Sequence, residues 1–150
     1  VMIFEPRERD ELLARYTPSI EPRWDGSHLV TAWAIMRDMS LFWPWYARHA
    51  GNVIHRDAAI DAHSLDLRVQ DLLKLGDAWR EAYAASFRYP MAERLAALQP
   101  LPCLLTDHAG AASYQRLAMA RAAAPHCKVG EISTDPQAWR TMVDAFCEKA

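Results

Sequence analysis

The side chains best equipped for chemistry fall in two stretches. Trp24 to Tyr46, reading WDGSHLVTAWAIMRDMSLFWPWY, holds four of the six tryptophans together with His28, Arg37 and Asp38. Aromatic side chains bury large areas, yet each indole N–H needs an acceptor, so such a stretch suits a half-wet pocket or interface as well as a core. The competing reading is plain aromatic packing in a helical core. A sealed core would have to satisfy the interleaved polar groups internally, and that tips the reading towards a ligand-facing wall. Its expected contacts with a small molecule are Trp24, His28, Trp33, Arg37, Trp43, Trp45 and Tyr46. Within it, His28 is either a lid residue or a satisfied core histidine. Arg37 and Asp38 either reach a carboxylated substrate or make a structural ion pair, the commoner outcome.

The second stretch is Asp107-His108. A neighbouring carboxylate can raise an imidazole's pKa and orient its ring. Adjacent residues on a strand point to opposite faces, which weakens the pair.

The remaining reactive types have quieter readings. His63 lies near Asp61 and Asp66, but the spacing matches no ligand pattern, and acids at a helix N-terminus account for them. His49 and His55 are expected at the surface. Cys103, Cys127 and Cys147 are odd in number and lack any CxxC spacing, so neither a disulfide framework nor a metal site is expected; they read as small buried hydrophobes.

These residues need elements to hold them, and 150 residues suffice for one compact core that buries about two thirds of the unfolded surface. The 17 basic and 19 acidic residues are mixed along the chain, leaving no basic stripe to follow a phosphate backbone, so nucleic-acid binding is not expected. No apolar run approaches the ~20 residues of a membrane span, and the chain turns charged at Glu5 without a signal-peptide pattern. A cytoplasmic protein without membrane contact is the expectation.

Periodicity predicts a proline-led helix over 6–16, an extended connector through Pro18 and Pro22, and a second helix from Ser27 to about Leu41. A shorter helix follows from Pro44 to Ala50, with Gly51 as its stop. Helical spacing resumes at Ser64 and stops at Gly76. Asp77 then caps a helix with Trp79, Tyr83 and Phe87, and a short helix runs from Pro90 to Leu98. After Pro100 the character changes. Leu101–Thr106 reads as a buried strand, 111–124 as a helix, Cys127–Ile132 as a second short strand, and Asp135-Pro136 as the cap of a closing helix with Trp139, Val143 and Phe146 inward. Strand, helix, strand, helix is a parallel α/β pattern, and such a pair needs further strands beside it.

In this order of elements the chain resembles the C-terminal half of an α/β-hydrolase: a helical cap or lid over residues 1–99, then a short parallel β-α-β-α core segment over 100–150. The resemblance rests on WDGSHL, the AW and RD pairs, FWPWY, PLPCLLTD and DPQAWRTMVDAF, and covers most of the chain. It implies a hydrolase of a moderately apolar ester, lactone or related small molecule, with no cofactor. It also implies a nucleophile elbow of G-x-S-x-G type, which this sequence lacks. Gly26-Ser27-His28 opens a helix, and Gly110 to Ser113 lacks the second glycine. A complementary core chain, or a homo-oligomer covering the sheet edges, is therefore the implied partner. The family's acid maps to Asp107, a little earlier than the usual position, where this chain has Ala109 and Gly110. The loop that would carry its histidine reads Ser133-Thr134-Asp135, which leaves His108 as the histidine at the correct edge, because His126 lies roughly 20 Å away along its strand. The alternative is a non-catalytic binding protein descended from that fold.

Overall fold

A computed structural model describes residues 3–54, 60–108 and 116–148. Helix α1 (Pro6–Arg15) starts at a proline, whose missing N–H costs nothing in the first turn, and buries Leu12. Helix α2 (Ser27–Met39) follows Gly26, which takes φ 73° to turn the chain into the helix. Helix α3 (Ala62–Leu75) is capped by Asp61, whose carboxylate accepts the Ser64 N–H at 2.7 Å. Helix α4 (Ala78–Arg88) follows Gly76 at φ 53°. Asp77 does not cap it. The Asp77 carboxylate is instead drawn away to Ser19, whose hydroxyl donates to it at 3.2 Å, and to Arg80 at 3.4 Å.

The helix predicted from Pro44 is absent, because tertiary pairing claims that backbone. The Trp43 N–H donates to the Asn52 carbonyl at 2.8 Å and the Ile54 N–H to the Leu41 carbonyl at 2.9 Å, bridging Phe42 to Val53. The helical turn comes later, as a 3-10 turn at Ala50–Asn52.

Helix α5 (Met91–Ala96) precedes β1 (Leu104–Asp107), α6 (Arg116–Ala123), β2 (Lys128–Glu131) and α7 (Pro136–Cys147). Strands β1 and β2 are parallel, pairing Leu104 with Lys128 and Asp107 with Glu131. Side chains alternate across a sheet, so the two helices find opposite faces. Leu105 is buried with Leu117 and Ala120 of α6, while Gly130 lies against Met142 of α7. Asp135 caps α7, accepting the Gln137 N–H at 2.9 Å. The protein is thus α/β and helix-rich, with a two-stranded parallel sheet among the described residues. None of those residues forms a helix long and apolar enough to cross a membrane.

The chain divides into two compact units, Glu5–Tyr89 and the described parts of Val1–Phe4 with Pro90–Ala150. The division falls ahead of the Leu98–Pro100 break in the sequence pattern because α5 packs on α6 through Leu95. In the first unit α2 packs on α3 and α1 on α4, around Leu12, Ile35, Leu65, Val69 and Phe87. The second unit is less complete. Val129, the register partner of buried Leu105, stays 39% exposed, and no residue of α7 is buried.

Candidate functional site

In the unit Glu5–Tyr89 the aromatic residues converge on Tyr16, which follows α1. Its ring centroid lies 5.4 Å from Trp43, 6.4 Å from Tyr46, 5.1 Å from Tyr83 and 5.2 Å from Phe87, in tilted or edge-on arrangements. Such geometries match the negative face of one ring to the positive edge of another. The Trp45 indole N–H donates to the Tyr16 carbonyl at 2.8 Å, so this buried donor and a carbonyl at the end of α1 satisfy each other. Arg15 lies over the Tyr46 ring at 4.4 Å. Burial pushes the Tyr16 and Tyr83 phenols above their ordinary range, and burial together with Glu11 pushes Tyr46 up to about 12.

Trp43, Trp45 and Tyr46 are therefore gathered in one place, where they pack on Tyr16 and one another. The other expected contacts lie elsewhere. Trp24 is fully exposed and Trp33 half-buried on α2. His28 folds its imidazole back to accept the Arg23 N–H at 3.0 Å, which fixes the turn into α2. Arg37 takes the structural alternative: its Nε donates to Asp38 at 2.8 Å, and the Arg48 Nε pairs with the second carboxylate oxygen at 2.7 Å. Asp38 is buried, and two half-exposed guanidiniums neutralise it.

Helix α2 also presents Leu29 and Val30 to solvent, at 48% and 73% exposure, beside Trp24. Between α2, α3 and α4 lies a groove of about 270 Å³ walled by Met36, Met39, Leu72, Leu75, Trp79 and Tyr83, with Arg68 and Asp71 at its rim. No expected contact residue lines it. The helical spacing of Trp79 and Tyr83 fits a core equally well, so nothing in the sequence marks them as walls of a groove.

In the second unit Asp107 ends β1 and His108 follows it, exposed. The contact seen between them is main-chain to side-chain: the His108 backbone N–H donates to the Asp107 carboxylate at 2.9 Å. The Gly110–Ser113 segment lies outside the described residues, as does His55. Asp61 is engaged at the α3 N-terminus and Asp66 accepts from Gln70 at 2.7 Å. Among the described residues no three of His, Cys, Asp and Glu cluster as metal ligands. The cysteines differ from one another: Cys127 is buried, Cys103 half-buried and Cys147 exposed, so the expectation of burial fails for Cys147 at the open end of α7.

No family model, curated protein or solved structure matches this chain.

Proposed function

We propose that this chain supplies the helical cap and the terminal strands of an α/β-hydrolase-like protein acting on a moderately apolar ester, lactone or related small molecule. The nucleophile and oxyanion hole come from residues outside these 150. The observation that carries this reading is the unfinished second unit. Among the described residues its parallel sheet has two strands, Val129 remains exposed, and α7 is amphipathic yet buries no residue. Parallel sheets are stable with both faces and edges covered, so this one calls for further strands. In the assembled protein Asp107, at the C-terminal end of β1, is the candidate acid and His108 the candidate base, at the edge where parallel-sheet sites lie. Trp24, in the turn before α2, and Leu29 and Val30 on α2 are the exposed apolar lid residues that exclude water and select the acyl group. Catalysis would follow the acyl-enzyme route, with serine attack and the oxyanion held by backbone N–H groups.

The test is turnover of a p-nitrophenyl acyl ester by the native assembly, with fluorophosphonate labelling of the co-purifying polypeptide. Labelling that tracks with turnover supports the proposal. An assembly that is neither labelled nor active removes it and leaves the second reading, a binding protein. That reading draws on the exposed Trp24, Leu29 and Val30 as its contact surface.

A further inference from the structure

Cys103 and Cys127 stand one step before the paired residues Leu104 and Lys128, and the Lys128 N–H donates to the Cys103 carbonyl at 2.8 Å. Residues level with each other on neighbouring parallel strands point to the same face, with Cα atoms about 4.8 Å apart. That spacing is inside the range a disulfide spans. The side chains share one environment: Cys127 is buried in the cluster with Leu95, Leu105 and Ala120, and Cys103 packs against that cluster. On the other side, His126 Nε2 lies 3.6 Å from the Cys127 sulfur, and the Gln99 side-chain nitrogen lies 3.1 Å from His126 Nδ1. With the Gln99 amide donating to Nδ1, the neutral ring carries its hydrogen on Nε2 and turns it towards the sulfur.

We propose that Cys103 and Cys127 form a dithiol that a hydroperoxide oxidises to a disulfide, with Cys103 as the sulfur attacked and Cys127 as the sulfur that closes the bond. The assignment follows from position. Cys103 is half-buried and Cys127 is enclosed. Burial, then Cys103 beside it, pushes the Cys127 thiol up to about 11, which disfavours Cys127 as the thiolate that meets the peroxide. The Cys103 thiolate attacks one oxygen of hydrogen peroxide and the O–O bond breaks. Cys103 becomes a sulfenic acid, and the departing hydroxide takes the proton that Cys103 gave up, forming water. The Cys127 sulfur then attacks the Cys103 sulfur, the S–O bond breaks, and the leaving hydroxide takes the Cys127 proton as a second water. The thiol pair loses two electrons and the peroxide gains them. His126 N–H stabilises the negative charge that develops on Cys127 as its proton departs. This chemistry is independent of any hydrolase role.

The sequence makes the test clean, because trypsin separates the three cysteines into Leu95–Arg116, Ala122–Lys128 and Thr141–Lys149. The reduced full chain is pulsed with hydrogen peroxide, alkylated, digested without reductant and weighed. The expected product is Leu95–Arg116 joined to Ala122–Lys128 at the summed mass less two hydrogens, with Thr141–Lys149 alkylated, in much higher yield from folded protein than from protein oxidised in urea. Cys127→Ser should accumulate a dimedone-trapped sulfenic acid on Cys103, and Cys103→Ser should leave Cys127 unlabelled. Alkylated Cys103 and Cys127 after the pulse, a link through Cys147, or equal yields in urea would each overturn the proposal. If a serine variant does not fold, the wild-type linkage decides alone.

Discussion

The Trp45 indole N–H meets the Tyr16 carbonyl at 2.8 Å, 29 residues back along the chain, and so ties the loop after α2 to the end of α1. Both residues are buried, so neither group can turn to water instead. Trp45→Phe keeps most of the apolar area but strands the carbonyl. The expected loss is about 1–3 kcal/mol in denaturant unfolding, the cost of an unsatisfied buried polar group. A loss indistinguishable from zero would mean that the hydrogen bond contributes nothing beyond what solvent offers.

Asp38 gives a second case in which one buried group serves two partners. Asp38→Asn removes the charge that Arg37 and Arg48 share while keeping the side chain's shape. Removing the central partner of a buried pair is costly, but both guanidiniums are about half exposed and solvent screens part of the effect. The expected destabilisation is about 1–3 kcal/mol. Arg37→Gln and Arg48→Gln should each cost less, and the double variant more than their sum, because either arginine alone still neutralises Asp38. Strict additivity in that cycle would contradict a shared ion pair.

Much of this architecture was legible from local chemistry, and the misses share a cause. Proline at the start of α1, Asp61 before α3, and Asp135-Pro136 before α7 act within a few residues of themselves, so sequence places those helices within a turn. The segment after Pro44 was misread because its fate rests on Trp43 pairing with Asn52 and Ile54 with Leu41, contacts that no local periodicity records. The residues of the expected ligand wall are dispersed for a similar reason. Residues close in sequence are sent to different environments, Trp24 to solvent and Trp45 to the core. The nearness of Cys103 to Cys127 was hidden in the same way, since strand register is set by the whole β-α-β unit.

Tyr16, Tyr46 and Tyr83 share a pH signature. Each has a folded-state pKa above the ordinary 10.0, with burial as the largest cause and Tyr46 reaching about 12. A phenol whose pKa is raised on folding stabilises the fold fully below pH 10.0 and loses that contribution as pH rises through the folded value. Stability of the unit Glu5–Tyr89 should therefore fall between pH 10.0 and about 12, with tyrosinate absorbance appearing in step with loss of structure. Ionisation of these phenols near pH 10.0 in protein that remains folded would show that they are open to water.

Gly130 measures how closely α7 is seated on the sheet. A methyl group at this position would lie 2.7 Å from Met142 Sδ and 3.2 Å from its Cε, tighter than atoms tolerate. The obstruction is the far end of a flexible thioether, which can swing aside. Gly130→Ala should cost less than about 1 kcal/mol, whereas Gly130→Val should cost about 1–3 kcal/mol by overpacking. Thermal unfolding of the two variants tests this, and equal losses would place a rigid neighbour at that spot.

The outward face of α2 separates the lid reading from plain surface. Trp24, Leu29 and Val30 contribute little to the unit's own packing, so Trp24→Ala and Val30→Ser should change stability by no more than about 0.5 kcal/mol. Trp43→Ala, which removes a half-buried ring from beside Tyr16, should cost about 1–3 kcal/mol. If the face of α2 selects the acyl group, the two outward variants should shift the ratio of kcat/KM between a short and a longer p-nitrophenyl ester in the active assembly while leaving its melting temperature in place. Unchanged chain-length preference in both variants would remove α2 from the substrate's path, and selection would then have to reside in the residues that supply the nucleophile.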